Sequence, residues 1–209
     1  MMKTTMNISN ANHEKVEKAF AFLTGNHFIN HHYGAILSKC LKGLPVRDFD
    51  AQEIIPGLYL GDVYAAHNTK ELKSRNFTHI VTCTVGVVPP FPDAFKYMHL
   101  KILDFAGETI DVHFTSTTDF IGDAIANGGK VLVHCIRGVS RSATIVSAYL
   151  MKSMSLSAED AVEHVRRVRA IARPNYGFMM QLQLYHKELN KGMMNVEISD
   201  EQNLPAAEW

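Results

Sequence analysis

Apolar and polar residues change rhythm near residue 51. Beyond it, short runs rich in β-branched and aromatic residues alternate with longer stretches of helical periodicity, the pattern of strands joined by amphipathic helices. GLYLG (57–61), THIVTCTV (78–85) and KYMHLKIL (96–103) read as strands. KVLVH (130–134) is a short apolar run ending in a polar residue, as expected of a central strand buried on both faces. Residues 62–75 and 112–126 read as helices, and three more follow over 140–154, 157–170 and 175–189. Ser157 with Asp160 resembles a capping box with Asp in place of Glu, and Asn175 after Pro174 is a good N-cap. The predicted fold is α/β: a central, mostly parallel sheet of about five strands flanked by helices.

The first 50 residues are patterned differently. A helix is expected over 12–24, with Val16, Phe20 and Leu23 on one face and Gly25 after its end. A second is expected over 33–42, pairing Ile36 with Cys40 and Leu37 with Leu41 before Gly43 and Pro45 stop it. The tail beyond Lys191 carries Glu197, Asp200, Glu201 and Glu208 and no basic residue. The expected organisation is therefore a helical extension (1–50), a main α/β domain (51–190) and a flexible acidic tail (191–209).

Composition narrows the classes. The 209 residues include 21 basic and 21 acidic side chains, and this balance argues against a broad nucleic-acid-binding surface. It leaves room for a small, intensely positive pocket. Cys40, Cys83 and Cys135 are too few and too widely spaced for a disulfide framework, so a reducing compartment fits best. The N-terminal stretch has no apolar core of signal-peptide length, no window reaches about 18 apolar residues, and neither end carries a lipidation motif. A soluble cytoplasmic protein is expected, with nuclear access open and no membrane partner. Its oligomeric state is not legible.

The chemistry concentrates in KVLVHCIRGVSRSAT (130–144). A buried strand ends at His134, a tight loop runs through Cys135, Ile136, Arg137, Gly138, Val139 and Ser140, and a helix starts at Arg141. This geometry aims backbone N–H groups at one point beside a helix N-terminus, an anion cradle. Gly138 lets the backbone turn and approach a ligand. Arg141 offers a planar fork matched to two oxygens of a phosphate. A thiol at the centre of such a field has a depressed pKa, so Cys135 is the candidate nucleophile for in-line attack on phosphorus. Ser142 could donate to its sulfur and help it leave, and His134 would orient the loop from behind.

HCIRGVSRS (134–142) matches the H-C-x2-G-x-S-R-S signature of dual-specificity protein phosphatases, and the chain resembles an atypical small member of that family. IIPGLYLGDVYAA (54–66), THIV (78–81), SAYLM (147–151) and RPNYGFMMQL (173–182) resemble other family segments, so the likeness spans about residues 52–190. It implies a metal-independent, cofactor-free phosphatase acting through a cysteinyl-phosphate on phosphotyrosine and phosphoserine or phosphothreonine. Partners would be phosphorylated proteins, a protein kinase among the candidates. It also implies a general acid on a loop upstream of the cysteine. Asp104 stands at the family's spacing; Asp111, nearer in sequence, is explained as the cap of the helix that follows it. The loop lacks the W-P-D tripeptide of tyrosine-specific phosphatases, which favours the shallow-pocket class. The rival readings are a phosphatase of a phosphoinositide, a phosphoglucan or an RNA 5′ phosphate, and a phospho-binding module that has lost chemistry.

The remaining candidates each have a plainer alternative. Arg137 could touch substrate flanks or be a solvated rim charge. Among Arg166, Arg167, Arg169 and Arg173, Arg169 is the choice for a second anion site, against a solvated helix face. Cys83 could resolve an oxidised Cys135 or be a buried structural cysteine. His27, His31 and His32 match no closed zinc spacing. Lys39 and Lys42 before Leu44 and Val46 resemble a kinase-docking motif, with helix packing as the alternative.

Overall fold

A computed structural model describes residues 48–201, with side chains through Lys191. The helices expected over 12–24 and 33–42 lie outside the described residues, as do Cys40, the three early histidines and the docking-like segment.

Five strands form one sheet in the order β1-β2-β5-β3-β4: β1 (Ala51–Ile55), β2 (Leu58–Gly61), β3 (His79–Cys83), β4 (Lys96–Leu100) and β5 (Val131–His134). β1 and β2 form an antiparallel hairpin, and every other pairing is parallel. The mostly parallel sheet is as expected; β1 was not. It is an edge strand with only Ile54 fully buried, so its sequence carries little alternation to read. The hairpin turns at Gly57, whose φ is 85°, a conformation glycine adopts without a steric penalty.

The stretch read as one helix over 62–75 is two, α1 (Val63–His67) and α2 (Thr69–Ser74). Asn68 separates them: its N–H closes the first helix on Ala65, and its side-chain oxygen caps the second at the Glu71 N–H. A short polar side chain that competes for backbone groups favours this break. A 3-10 turn (Asp111–His113) leads into α3 (Phe114–Ala126). α4 (Arg141–Met154), α5 (Ala158–Val168) and α6 (Tyr176–Glu201) complete the chain. Ser157 Oγ accepts the Asp160 N–H at 3.1 Å and Asn175 Oδ1 accepts the Phe178 N–H at 3.0 Å, so both expected caps form. α6 runs well past its expected end, into the segment read as a tail.

The two sheet faces bury different sets. Leu132 and Ile80 pack with Ala65, Ala66 and Leu72 of α1 and α2. Val131, Val133 and Val81 pack with the helices α3 to α6. Burial on both sides is why β5 reads as an unbroken apolar run. α4 is buried from Arg141 to Met151, and it is anchored directly beneath the sheet, with the loop before it at the sheet's carboxyl edge. Among the described residues no helix is long and apolar enough to cross a membrane.

Candidate active site

The loop from Cys135 to Ser140 is built by turning its carbonyls outward. The Cys135 carbonyl meets His134 Nδ1 at 3.2 Å. That of Ile136 accepts the Val63 N–H and that of Val139 the Arg173 N–H. Those of Arg137 and Gly138 accept Nη2 and Nε of Arg169. That of Ser140 accepts both the N–H and the hydroxyl of Thr144. With every carbonyl engaged outside, the loop's N–H groups are left to face the cysteine, and the Gly138 N–H reaches Sγ at 3.2 Å. This is an anion-binding concavity at the N-terminus of α4. Gly138 has φ 64°, and a Cβ there would stand 2.6 Å from the Gly61 carbonyl oxygen, so only glycine fits.

Cys135 is 1% exposed. Burial pushes its thiol pKa up, but the Arg141 charge and hydrogen bonds from Ser142 and the Val139 N–H outweigh that, so the net shift is downward. Ser142 Oγ donates to Sγ at 3.2 Å. The thiolate is thereby favoured by fixed dipoles and one buried cation. His134 is buried, and burial chiefly lowers its pKa to about 3, so the ring is neutral. A carbonyl can only accept, so Nδ1 carries the proton, and Nε2 accepts the Thr82 hydroxyl at 2.9 Å. The imidazole joins the neighbouring strand to the base of the loop.

Arg141 is held from one end. Nη1 donates to Thr84 Oγ1 at 2.9 Å and to the Ile102 carbonyl at 3.3 Å. Nε is buried with no hydrogen bond among the described residues and lies 3.6 Å from Asp104 Oδ2. An anchored guanidinium with an unsatisfied inner edge suits an incoming oxyanion. Asp104 is thus brought to the loop, and its Oδ1 accepts from Ser140 Oγ at 2.7 Å and Asn175 Nδ2 at 3.1 Å. Asp111 is exposed, with Oδ1 on the Val112 N–H. It does not cap the helix as expected; Gln181 Oε1 takes the N–H groups of Ile110 and Asp111 instead.

Arg169 requires a correction. It is 3% exposed, and its guanidinium bonds both Asp50 oxygens at 2.8 and 2.9 Å, Gln52 Oε1 and the two loop carbonyls. It is neither a free anion site nor a solvated helix charge but the support beneath the loop. Asp50, whose carboxyl pKa is lowered first of all by the Arg169 hydrogen bonds, ties that support to the segment preceding β1. Arg169→Met is expected to lower stability by about 2–3 kcal/mol, two or three net hydrogen bonds to charged or buried groups, and to slow turnover as the loop loosens. Denaturant unfolding together with kcat measures both; no change in either would show the clamp to be redundant. Arg137 has an exposed side chain. Cys83 is fully buried, and burial first, then the neighbouring Cys135, raises its pKa well above the usual thiol range.

Sequence reasoning missed Thr82, Thr84, Asp50 and Gln52, and read Asn175 only as a cap. Nothing local marks them, because each matters through a partner distant in the chain.

A family model described as "Dual specificity phosphatase, catalytic domain" matches residues 58–188. Dual specificity protein phosphatase 1B of Arabidopsis thaliana is 45% identical over 140 residues, covering 67% of this chain and 84% of that protein. Dual specificity protein phosphatase 1 of the same plant is 43% identical over 156 residues, 74% of this chain and 75% of that one. Among solved structures, the human tyrosine phosphatase-like serine/threonine/tyrosine-interacting protein matches with a TM-score of 0.63 at 38% identity, covering 66% of this chain and 97% of its own.

Proposed function

The chain belongs to the dual specificity phosphatase family, and from that premise we propose that it dephosphorylates proteins at phosphotyrosine and at phosphoserine or phosphothreonine. The Cys135 thiolate attacks phosphorus in line. The non-bridging oxygens rest on the loop N–H groups and on the free edge of Arg141, where their charge is stabilised as the S–P bond forms and the ester P–O bond breaks. Asp104 gives its proton to the departing oxygen, leaving a carboxylate and a cysteinyl-phosphate. That carboxylate then takes a proton from water as the water attacks phosphorus, and the Ser142 hydroxyl stabilises the sulfur as it leaves. The observation that carries this reading is the outward bonding of every carbonyl from Cys135 to Ser140 around a thiol of lowered pKa.

Protein substrates are favoured over lipid, glucan or RNA phosphates by the loop itself, which carries Arg137 but no lysine to grip a second phosphate, and by the engagement of Arg169 elsewhere. The test is phosphate release from phosphotyrosine, phosphothreonine and phosphoserine peptides beside phosphoinositide vesicles, a phosphoglucan and a 5′-phosphorylated RNA. A kcat/KM at least about tenfold higher on the peptides, about 1.4 kcal/mol in transition-state binding, is expected; a lipid, glucan or RNA in the lead would overturn the protein assignment.

Metal independence has its own check. Among the described residues no group of three or more His, Cys, Asp or Glu could hold an ion. Turnover of an aryl phosphate is expected to persist in excess chelator. Loss on chelation, restored by a divalent ion, would refute the thiolate mechanism.

A further inference from the structure

The loop carrying Asp104 is fastened to α6 along its length. Gln181 Nε2 donates to the Glu108 carbonyl at 2.8 Å, and its Oε1 takes the Ile110 and Asp111 N–H groups. Glu108 closes the loop on itself through the Leu103 N–H at 3.0 Å. At Gly177 a Cβ would fall 1.8 Å from the Ala106 carbonyl oxygen, so the loop seats on the first turn of α6 only because that position has no side chain.

One hydrogen-bond direction at Asp104 is fixed by its neighbours, and a hydroxyl supplies the other. Asn175 Oδ1 faces the Phe178 N–H, which only donates, so the Asn175 amide must present its NH2 to Asp104. The Asn175 backbone N–H donates to Ser140 Oγ at 3.2 Å, so the Ser140 hydroxyl hydrogen is free to point at Asp104. Oδ1 of Asp104 therefore receives two donors. It has no room for a proton of its own, and Oδ2 is the oxygen nearer Arg141 Nε.

We propose that Asn175 and Ser140 are positioning residues for the acid. By saturating Oδ1 they leave Oδ2, the oxygen on the Arg141 side of the carboxyl, to carry the transferable proton. The step balances simply: the Oδ2–H bond breaks as the leaving oxygen gains its proton, and a proton from the attacking water later restores it. The proposal rests on Asp104 being the general acid.

Asn175→Ser separates positioning from capping, since serine is also a strong N-cap but too short to donate to Asp104. With a phosphopeptide the variant is expected to lose about tenfold in kcat, part of what general-acid catalysis contributes. With an aryl phosphate of very acidic leaving group the loss should be several times smaller. Asn175→Asp, which keeps the cap but replaces the amide donor with an acceptor, should show the same split between the two substrates. In an Asp104→Asn background neither change should cost more on phosphopeptide. Equal losses on both substrates, or losses that add to those of Asp104→Asn, would refute positioning. If Asp104→Asn itself shows no leaving-group dependence, it is the acid assignment that fails.

Discussion

Cys135→Ser is expected to reduce turnover of any phosphate monoester at least about a thousandfold, roughly 4 kcal/mol of transition-state stabilisation, while inorganic phosphate still binds. A serine hydroxyl is nearly isosteric, but the field that lowers the thiol pKa cannot ionise an alcohol at neutral pH. The binding groups are untouched, since the loop N–H groups depend on carbonyls tied to Val63, Arg169, Arg173 and Thr144 and Arg141 is anchored by Thr84 and Ile102. Single-turnover kinetics and calorimetry with phosphate check the two halves. Residual activity above about 1% of wild type, a gap of only about 2.7 kcal/mol, would remove Cys135 as nucleophile. The lowered thiol pKa has a pH consequence with a definite sign. The acidic limb of kcat/KM reports thiolate formation, so it should lie below the ordinary thiol range. Ser142→Ala deletes a donor to the sulfur, which disfavours the thiolate and should shift that limb upward.

Asp104→Asn is the second large effect. Phosphopeptide hydrolysis is expected to fall about 10²–10³-fold, within the usual reach of general-acid catalysis. Hydrolysis of an aryl phosphate with a very acidic leaving group should fall far less. A serine or threonine alkoxide is a poor leaving group unless protonated as the bond breaks, whereas a stabilised phenolate departs unaided. Asp111→Asn should show neither the loss nor its leaving-group dependence, because among the described residues that carboxylate meets only the adjacent Val112 N–H. If the Asp111 variant carries the leaving-group dependence and the Asp104 variant does not, the assignment of the acid is reversed.

Short-range information was enough for much of this protein. The buried strand KVLVH, the loop after it and the helix starting at Arg141 are legible because a strand, a glycine turn and an amphipathic helix each announce themselves over a few residues. The same holds for Ser157 and Asn175 as caps, whose partners lie three positions on. Cys135, Ser142 and Arg141 are close in sequence, so their convergence follows from the loop alone. Asp104 was legible through the family resemblance rather than through local chemistry. Only the tertiary structure decided the rest. The edge strand β1 forms because β2 offers it a free row of backbone groups, not because its own pattern demands it. The fate of Arg169 depended on Asp50 and on carbonyls of a loop some thirty residues away, and without them an arginine near a helix end reads as a surface charge. Asn175 meets Asp104 because Gly177 lets the loop carrying that carboxylate settle against its helix. A sequence shows what each residue can donate, accept or bury, but partners separated along the chain meet only once the layers pack. Charge and hydrogen-bond direction in the site are properties of those meetings.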